Sequence, residues 1–235
     1  MAIVDSLNYS MFLDDVEAYI ITLPNHPKSA QLSNRCQESC REIGQPFKVW
    51  EAFDGTSGKI VYPKHLEDQH HFRFLKQMND RLTITETATI LSHYSLWAEC
   101  VRLDKPIVVL EHDAIMVKSY ISHDAWNQIV YLGNYQQYVE GRWATFPMHS
   151  AATKNHRFIC RAHAYAIDPA SARALVSHVI KFGLSAPADM LIRVDLFPIV
   201  QTGFYAFDLP DSETTITGRD SKWEENAKEI FQSFI

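Results

Sequence analysis

No stretch of this chain is apolar for long enough to cross a membrane as a helix, and its first residues, MAIVDSLNYSMFLDDVE, lack the basic start and apolar run of a secretory signal. A cytoplasmic location is the expectation. Cysteine is scarce: Cys36, Cys40, Cys100 and Cys160 form no CxxC pair and have no histidine at structural-zinc spacing, so reduced core or surface thiols are expected. Basic residues are in the minority, 22 Lys and Arg against 28 Asp and Glu, and the net charge of -6 argues against general electrostatic attraction to nucleic acid. A local basic groove is left open. There is no internal repeat and no low-complexity segment. What remains is 235 residues with 46% hydrophobic content, enough for one sizeable core.

The most informative stretch is Pro106-Ile-Val-Val-Leu110, which ends in Glu111-His112-Asp113. A continuous apolar run of this length reads as a strand buried on both faces. In open α/β sheets ligands bind beyond the carboxyl ends of the strands, so Glu111 and Asp113 are placed to hold a divalent cation and the phosphate it carries. If the chain stays extended, both can turn to one site. Equally, such residues can simply end a strand and cap the next element.

Along the chain, residues 1–15 read as an extension, and Val16–Leu23 as the first strand. Leu32, Cys36, Cys40 and Ile43 then repeat at helical spacing up to a stop at Gly44, which places both cysteines on a buried seam. Phe47–Phe53 reads as the second strand, turned by Asp54-Gly55. Residues 56–80 are polar and histidine-rich without a period, and predict a solvated excursion. His65, His70 and His71 have no acid or cysteine at ligand spacing there. Thr83 and Glu86 have capping-box spacing for a helix to about Arg102, which buries Ile90, Leu91, Tyr94, Trp97, Ala98 and Val101. His93 on that helix is either a hydrogen-bonded core histidine or a residue of the site.

Beyond the acidic triplet, Ser122 or Asp124 can cap a short helical stretch with Trp126, and Val130–Gly133 gives another strand. The segment 134–145 reads as a loop whose Tyr135, Gln136, Gln137, Tyr138 and Trp143 suit a sugar, with scattered surface aromatics as the alternative. Phe158–Ile167 alternates as a strand, and Asp168-Pro169 opens a helix that Gly183 ends. Asp189 opens a further short helix. Residues 203–220 are irregular in pattern. Residues 221–235 read as a terminal helix, with Trp223, Ala227, Ile230, Phe231 and Phe234 on the side that docks onto a domain spanning 16–220.

The stretch from Arg81 to Asp113 resembles glycosyltransferase family 25, through Thr83, Glu86, Ser92, His93, Trp97, Asp104, Pro106, Leu110, Glu111 and Asp113. That family includes lipooligosaccharide galactosyltransferases and procollagen galactosyltransferases. His112 stands where the family usually has the first Asp of a pair. The similarity extends over Arg35, Ala52, Asp54 and Gly55, over the HAYAIDPASARALVSHV segment, and over Asp189 with Pro198-Ile-Val-Gln201.

The resemblance implies an α/β chain, a single-domain GT-A-type glycosyltransferase fold with a Rossmann-like mixed sheet flanked by helices. It implies transfer of galactose or glucose from a UDP-sugar donor to an acceptor hydroxyl with inversion. A lipooligosaccharide or other glycan is the first acceptor, and a protein or a modified nucleic-acid base the alternative. A nucleotide-sugar-binding module without turnover is the competing reading.

Leu23 at the end of the first strand with the loop behind it, and Asp54 with Gly55, would then meet the nucleotide, and Ser92 and His93 would lie toward the donor. Mn²⁺ (or Mg²⁺) would neutralise the departing diphosphate. Asp113 is the direct ligand, Glu111 a second ligand or a partner to the ribose, and His112 either joins the metal or faces into the sheet. Asp189 is the candidate base for the acceptor hydroxyl.

Overall fold

The structure, a computed structural model, describes residues 16–67, 72, 75, 82–120, 128–133, 136–139, 142–145, 162–193, 196–200 and 205–208. The expected extension 1–15, the terminal helix 221–235, the capped stretch around Trp126, Tyr135, Cys160, and His70 and His71 lie outside them.

The apolar run AYIIT forms β1 (Ala18–Thr22), buried along its whole length. Pro27 then starts α1 (Pro27–Glu42), where proline's missing N–H costs nothing, and Nδ1 of the capping His26 accepts from the Ser29 N–H at 3.4 Å. The helix stops as expected at Gly44, whose φ of 71° needs a residue without a side chain. Cys36 and Cys40 face the sheet, packed with Ala18, Ile20, Val108 and Leu110. The edge strand β2 (Phe47–Glu51) runs parallel to β1.

The segment after β2 is exposed over much of its described length, as a solvated excursion would be, but it also folds back onto the sheet. Val61 pairs back onto Asp54, a turn of 3-10 helix covers Lys64–Leu66, and Leu66 and Phe72 are buried against Phe53 and Tyr94. His65 lies edge-on to Trp50 at 4.4 Å. The apolar residues are too irregularly spaced to show a period, yet they close over the sheet's edge.

The helix α2 (Ile84–Leu103) begins with the expected reciprocal cap: the Thr83 hydroxyl accepts from the Glu86 N–H, and the Glu86 carboxylate accepts from the Thr83 N–H. Twelve of its twenty residues are buried, because the sheet lies on one side and α3 on another; Ala98 and Val101 are only partly buried. It leads into β3 (Ile107–Glu111), whose first four residues are fully buried as the unbroken apolar run requires. Next come β4 (Ala114–Met116) and β5 (Ile129–Tyr131), then β6 (Gln136–Val139) and β7 (Arg142–Thr145).

The last two correct the reading of 134–145 as a loop. They form an antiparallel ribbon whose register sets Tyr138 opposite Trp143. A two-stranded ribbon needs no buried face, so alternation does not announce it.

Past it lie β8 (Ala164–Ile167), α3 (Pro169–Phe182) and the four-residue α4 (Ala188–Leu191). The Asp168 carboxylate caps α3 by accepting from the Ser171 N–H at 2.8 Å. Two short strands follow, β9 (Ile199–Val200) and β10 (Ala206–Asp208). β10 pairs with β4 inside the segment expected to be irregular, and three residues are too few to carry a period.

The main sheet has the order β2-β1-β3-β8-β5-β9, with β8 antiparallel to both neighbours and the other pairs parallel. With α1 on one face and α2 and α3 on the other, this is the mixed, helix-flanked α/β sheet expected from the sequence. Among the described residues no helix is long and apolar enough to cross a membrane.

Candidate active site

Parallel pairing brings the carboxyl ends of three strands to one edge of the sheet. The register sets Ile21 of β1 beside Glu111 of β3, and Thr22 of β1 beside Glu51 of β2. Antiparallel β8 brings its opposite end to that edge: Leu110 pairs with Ala164, and the Glu111 N–H donates to the His163 carbonyl at 2.9 Å. Alternation along β3 and β8 puts Val109, Glu111, His163 and Tyr165 on the face covered by α2.

Four side chains join there in one hydrogen-bonded line. The Trp97 Nε1–H donates to the Tyr165 hydroxyl at 2.8 Å, that hydroxyl lies 3.0 Å from His93 Nδ1, and His93 Nε2 lies 3.0 Å from Glu111 Oε1. Trp97, His93 and Tyr165 are completely buried, whereas the Glu111 side chain is 28% exposed, so one end of the line opens to the outside. Burial pushes the Glu111 carboxyl up; the hydrogen bond from His93, with His93, His112 and His163 around it, outweighs burial and holds it below its ordinary value. Tyr165 goes the other way, its burial keeping the phenol protonated far above the usual range. His93 is therefore both a core histidine and a partner of the acidic strand end.

The chain does not stay extended after Glu111. His112 and Asp113 form a turn into β4. Glu111 faces α2, where His93 holds it. His112 follows it, its Nε2 buried with no hydrogen-bond partner. Burial lowers its basicity, Glu111 opposes this, and His26 and Lys28 from the start of α1 add to it. Among the described residues no three His, Cys, Asp or Glu side chains are grouped to hold a metal ion. Glu111, His112 and Asp113 therefore do not stand as a preassembled three-ligand group.

Along the same edge, Leu23, Asn25, Glu51, Asp54 and Tyr62 line an open cleft of about 50 Å³. One oxygen of Asp54 accepts both the Thr56 N–H (2.8 Å) and its hydroxyl (2.7 Å), which fixes the carboxylate. Gly55 is needed for close approach: a Cβ there would lie 2.6 Å from the Ile84 carbonyl oxygen at the start of α2. Ser92 is buried and acts at one remove from the cleft. Its hydroxyl donates to the Ala88 carbonyl and accepts the Phe53 N–H, pinning the residue before Asp54 to α2. Arg35, on α1, is exposed. Asp189 sits half-buried in the first turn of α4, which packs against α2.

Three participants were not singled out as site residues from the sequence. Trp97 reads as a core aromatic of its helix, and Tyr165 falls in the family-like HAYAI stretch with no role assigned to it. His163 is two residues from Tyr165 and shares its face by period two, a signal that becomes visible once β8 is set beside β3. The His163 imidazole occupies the space a Cβ at Gly133 would fill, beside the Tyr131 ring. That explains the glycine after β5.

A solved galactosyltransferase, LgtC, in complex with donor and acceptor sugar analogues, is 8% identical with a TM-score of 0.40, over 79% of this chain and 73% of its own. No curated protein matches the chain. The model of glycosyltransferase family 25, described as an LPS biosynthesis protein, matches residues 16–192, from β1 through the end of α4. The chain belongs to glycosyltransferase family 25.

Proposed function

We propose that this glycosyltransferase moves galactose or glucose from a UDP-sugar to an acceptor hydroxyl, with the donor laid along the sheet edge from Asp54 to Glu111. The observation that carries the reading is Glu111, held by His93 at the partly exposed end of a buried line, on the same edge as the Asp54 cleft. The ends of β2 and β3 lie two strand spacings apart, on the order of 10 Å. A nucleoside diphosphate can bridge that span. Asp54 and the loop at Leu23 receive the nucleoside, with Gly55 allowing the close packing that shapes the cleft. Ser92 acts by holding the Phe53 backbone, and His93 by holding Glu111. Glu111 accepts hydrogen bonds from hydroxyls of the ribose or of the transferred sugar.

Lys28 and the N-terminus of α1, which has no acid in its first turn, bring positive potential to the diphosphate side. Mn²⁺ or Mg²⁺ would neutralise a departing diphosphate. Among the described residues no three His, Cys, Asp or Glu side chains assemble a seat for it. Asp189 is the base that takes the acceptor's proton, with inversion at the transferred carbon. The acceptor is a lipooligosaccharide or another glycan, and a protein or nucleic-acid hydroxyl needs only a different surface around the same donor site.

One observation favours the rival reading of a binding module without turnover: His112 stands in the acidic turn with Nε2 buried and unpartnered. Both readings are tested by incubating the protein with UDP-galactose and UDP-glucose, with and without Mn²⁺ and a glycan acceptor, and measuring UDP release. Acceptor-stimulated release supports the transferase. Stabilisation by UDP-sugar in a thermal-shift assay with no release under any condition supports the binding module.

A further inference from the structure

We propose that Tyr165 is a positioning residue of the site: its hydroxyl sets which nitrogen of His93 carries the proton and so aims Glu111 at the donor. The inference rests on the role given to Glu111 above. Its basis is the direction of the hydrogen bonds.

The Trp97 indole can only donate, so at 2.8 Å it takes one lone pair of the Tyr165 oxygen. The phenolic proton must then find an acceptor elsewhere, and the group within reach is His93 Nδ1, at 3.0 Å. Nδ1 is therefore the bare nitrogen, and the ring proton sits on Nε2, facing Glu111 Oε1 at 3.0 Å. Every donor in the line points toward the carboxylate, the arrangement in which successive hydrogen bonds strengthen one another. With the opposite tautomer, two lone pairs would face each other across that 3.0 Å gap, and Glu111 would swing away.

The placement follows from strand register. Tyr165 pairs with Val109, two residues inward from Glu111 on the same face, and its ring lies within 20° of parallel to His93 with centroids 5.8 Å apart. Tyr165 is wholly buried and touches no ligand itself. It acts through His93.

The test is a double-mutant cycle read in kcat and in the donor KM, on the full chain, with whichever UDP-sugar supports turnover: wild type, Tyr165→Phe, Glu111→Gln and the double variant. Tyr165→Phe is expected to lower kcat/KM by on the order of tenfold to a hundredfold, as for partners that orient a functional group. In the Glu111→Gln background the same change is expected to cost less than about twofold, since it has no carboxylate left to aim. An equal loss in both backgrounds overturns the proposal and makes Tyr165 a core residue only. Glu111→Gln with wild-type turnover removes the donor role of Glu111 itself, and this inference with it. A measurement that needs no variant stands beside the cycle. Nitrogen-15 NMR of the His93 ring is expected to show a proton on Nε2 and a bare Nδ1, and a proton on Nδ1 overturns the proposal.

Discussion

Nε2 of His93, wholly buried in α2, lies 3.0 Å from Oε1 of Glu111, the last residue of the central strand and 28% exposed. The pair joins the core to the sheet edge where family 25 chemistry is proposed. Glu111→Gln keeps an oxygen for His93 and removes only the charge. It is expected to leave the fold intact and to cut kcat/KM by two to three orders of magnitude, about what is lost when one preorganised electrostatic partner is removed. Steady-state kinetics beside a melting curve checks this. Glu111→Ala strands the His93 N–H as well and is expected to destabilise the fold by about 1 to 3 kcal/mol.

Gly55 lies against the start of α2, and a methyl group there meets the Ile84 carbonyl oxygen at 2.6 Å, a backbone atom that cannot turn aside. Gly55→Ala is expected to cost about 1 to 3 kcal/mol of stability. By shifting Asp54 it is also expected to raise the donor KM more than it lowers kcat. Urea unfolding and donor titration together check both halves.

The capping box of α2 separates stability from activity. Thr83→Ala loses one arm of the reciprocal pair and is expected to cost about 1 kcal/mol in denaturant unfolding. Turnover at moderate temperature should be unchanged.

His112 stands where the family usually carries an acid. His112→Asp places a third carboxylate at the turn between β3 and β4, and the ratio of turnover with Mn²⁺ to turnover in chelator is expected to rise above that of the unaltered chain. An unchanged ratio would show that position 112 has no bearing on cation response.

His178 gives a pH dependence with a definite sign. Burial first, then Arg193 and Lys181, lowers its pKa below the ordinary 6.5, so the unfolded chain binds its proton more readily. Stability from this residue is therefore present above the ordinary histidine value and is lost as pH falls toward the lowered one. His178→Leu is expected to flatten that part of the stability curve relative to wild type, read as denaturation midpoints from about pH 7 down to about pH 5.

Much of the fold could be read from the residues because local chemistry decided it. Ile107–Glu111 is an unbroken apolar run, Thr83 and Glu86 cap each other three residues apart, and Asp168-Pro169 opens a helix by side chain and fixed φ alike. The site was legible only in part. Glu111, His93 and Asp54 carry recognisable chemistry in recognisable places. That β3 ends at Glu111 and the chain turns through His112 and Asp113 is a two-residue feature, which alternation along a strand does not foresee. Tyr165 and His163 enter only through the pairing of β8 with β3, a contact more than fifty residues apart in sequence. Side chains alone, an apolar strand for instance, do not encode such a partner until the sheet order is known.

The most direct measurement is a crystal structure of the protein with UDP bound. The account predicts the uracil and ribose in the cleft of Leu23, Asn25 and Asp54, the diphosphate running toward the start of α1, and a Glu111 oxygen within hydrogen-bond distance of the ligand while His93 holds the other. UDP bound elsewhere, with Glu111 touching only His93 and the Asp54 cleft empty, would contradict it.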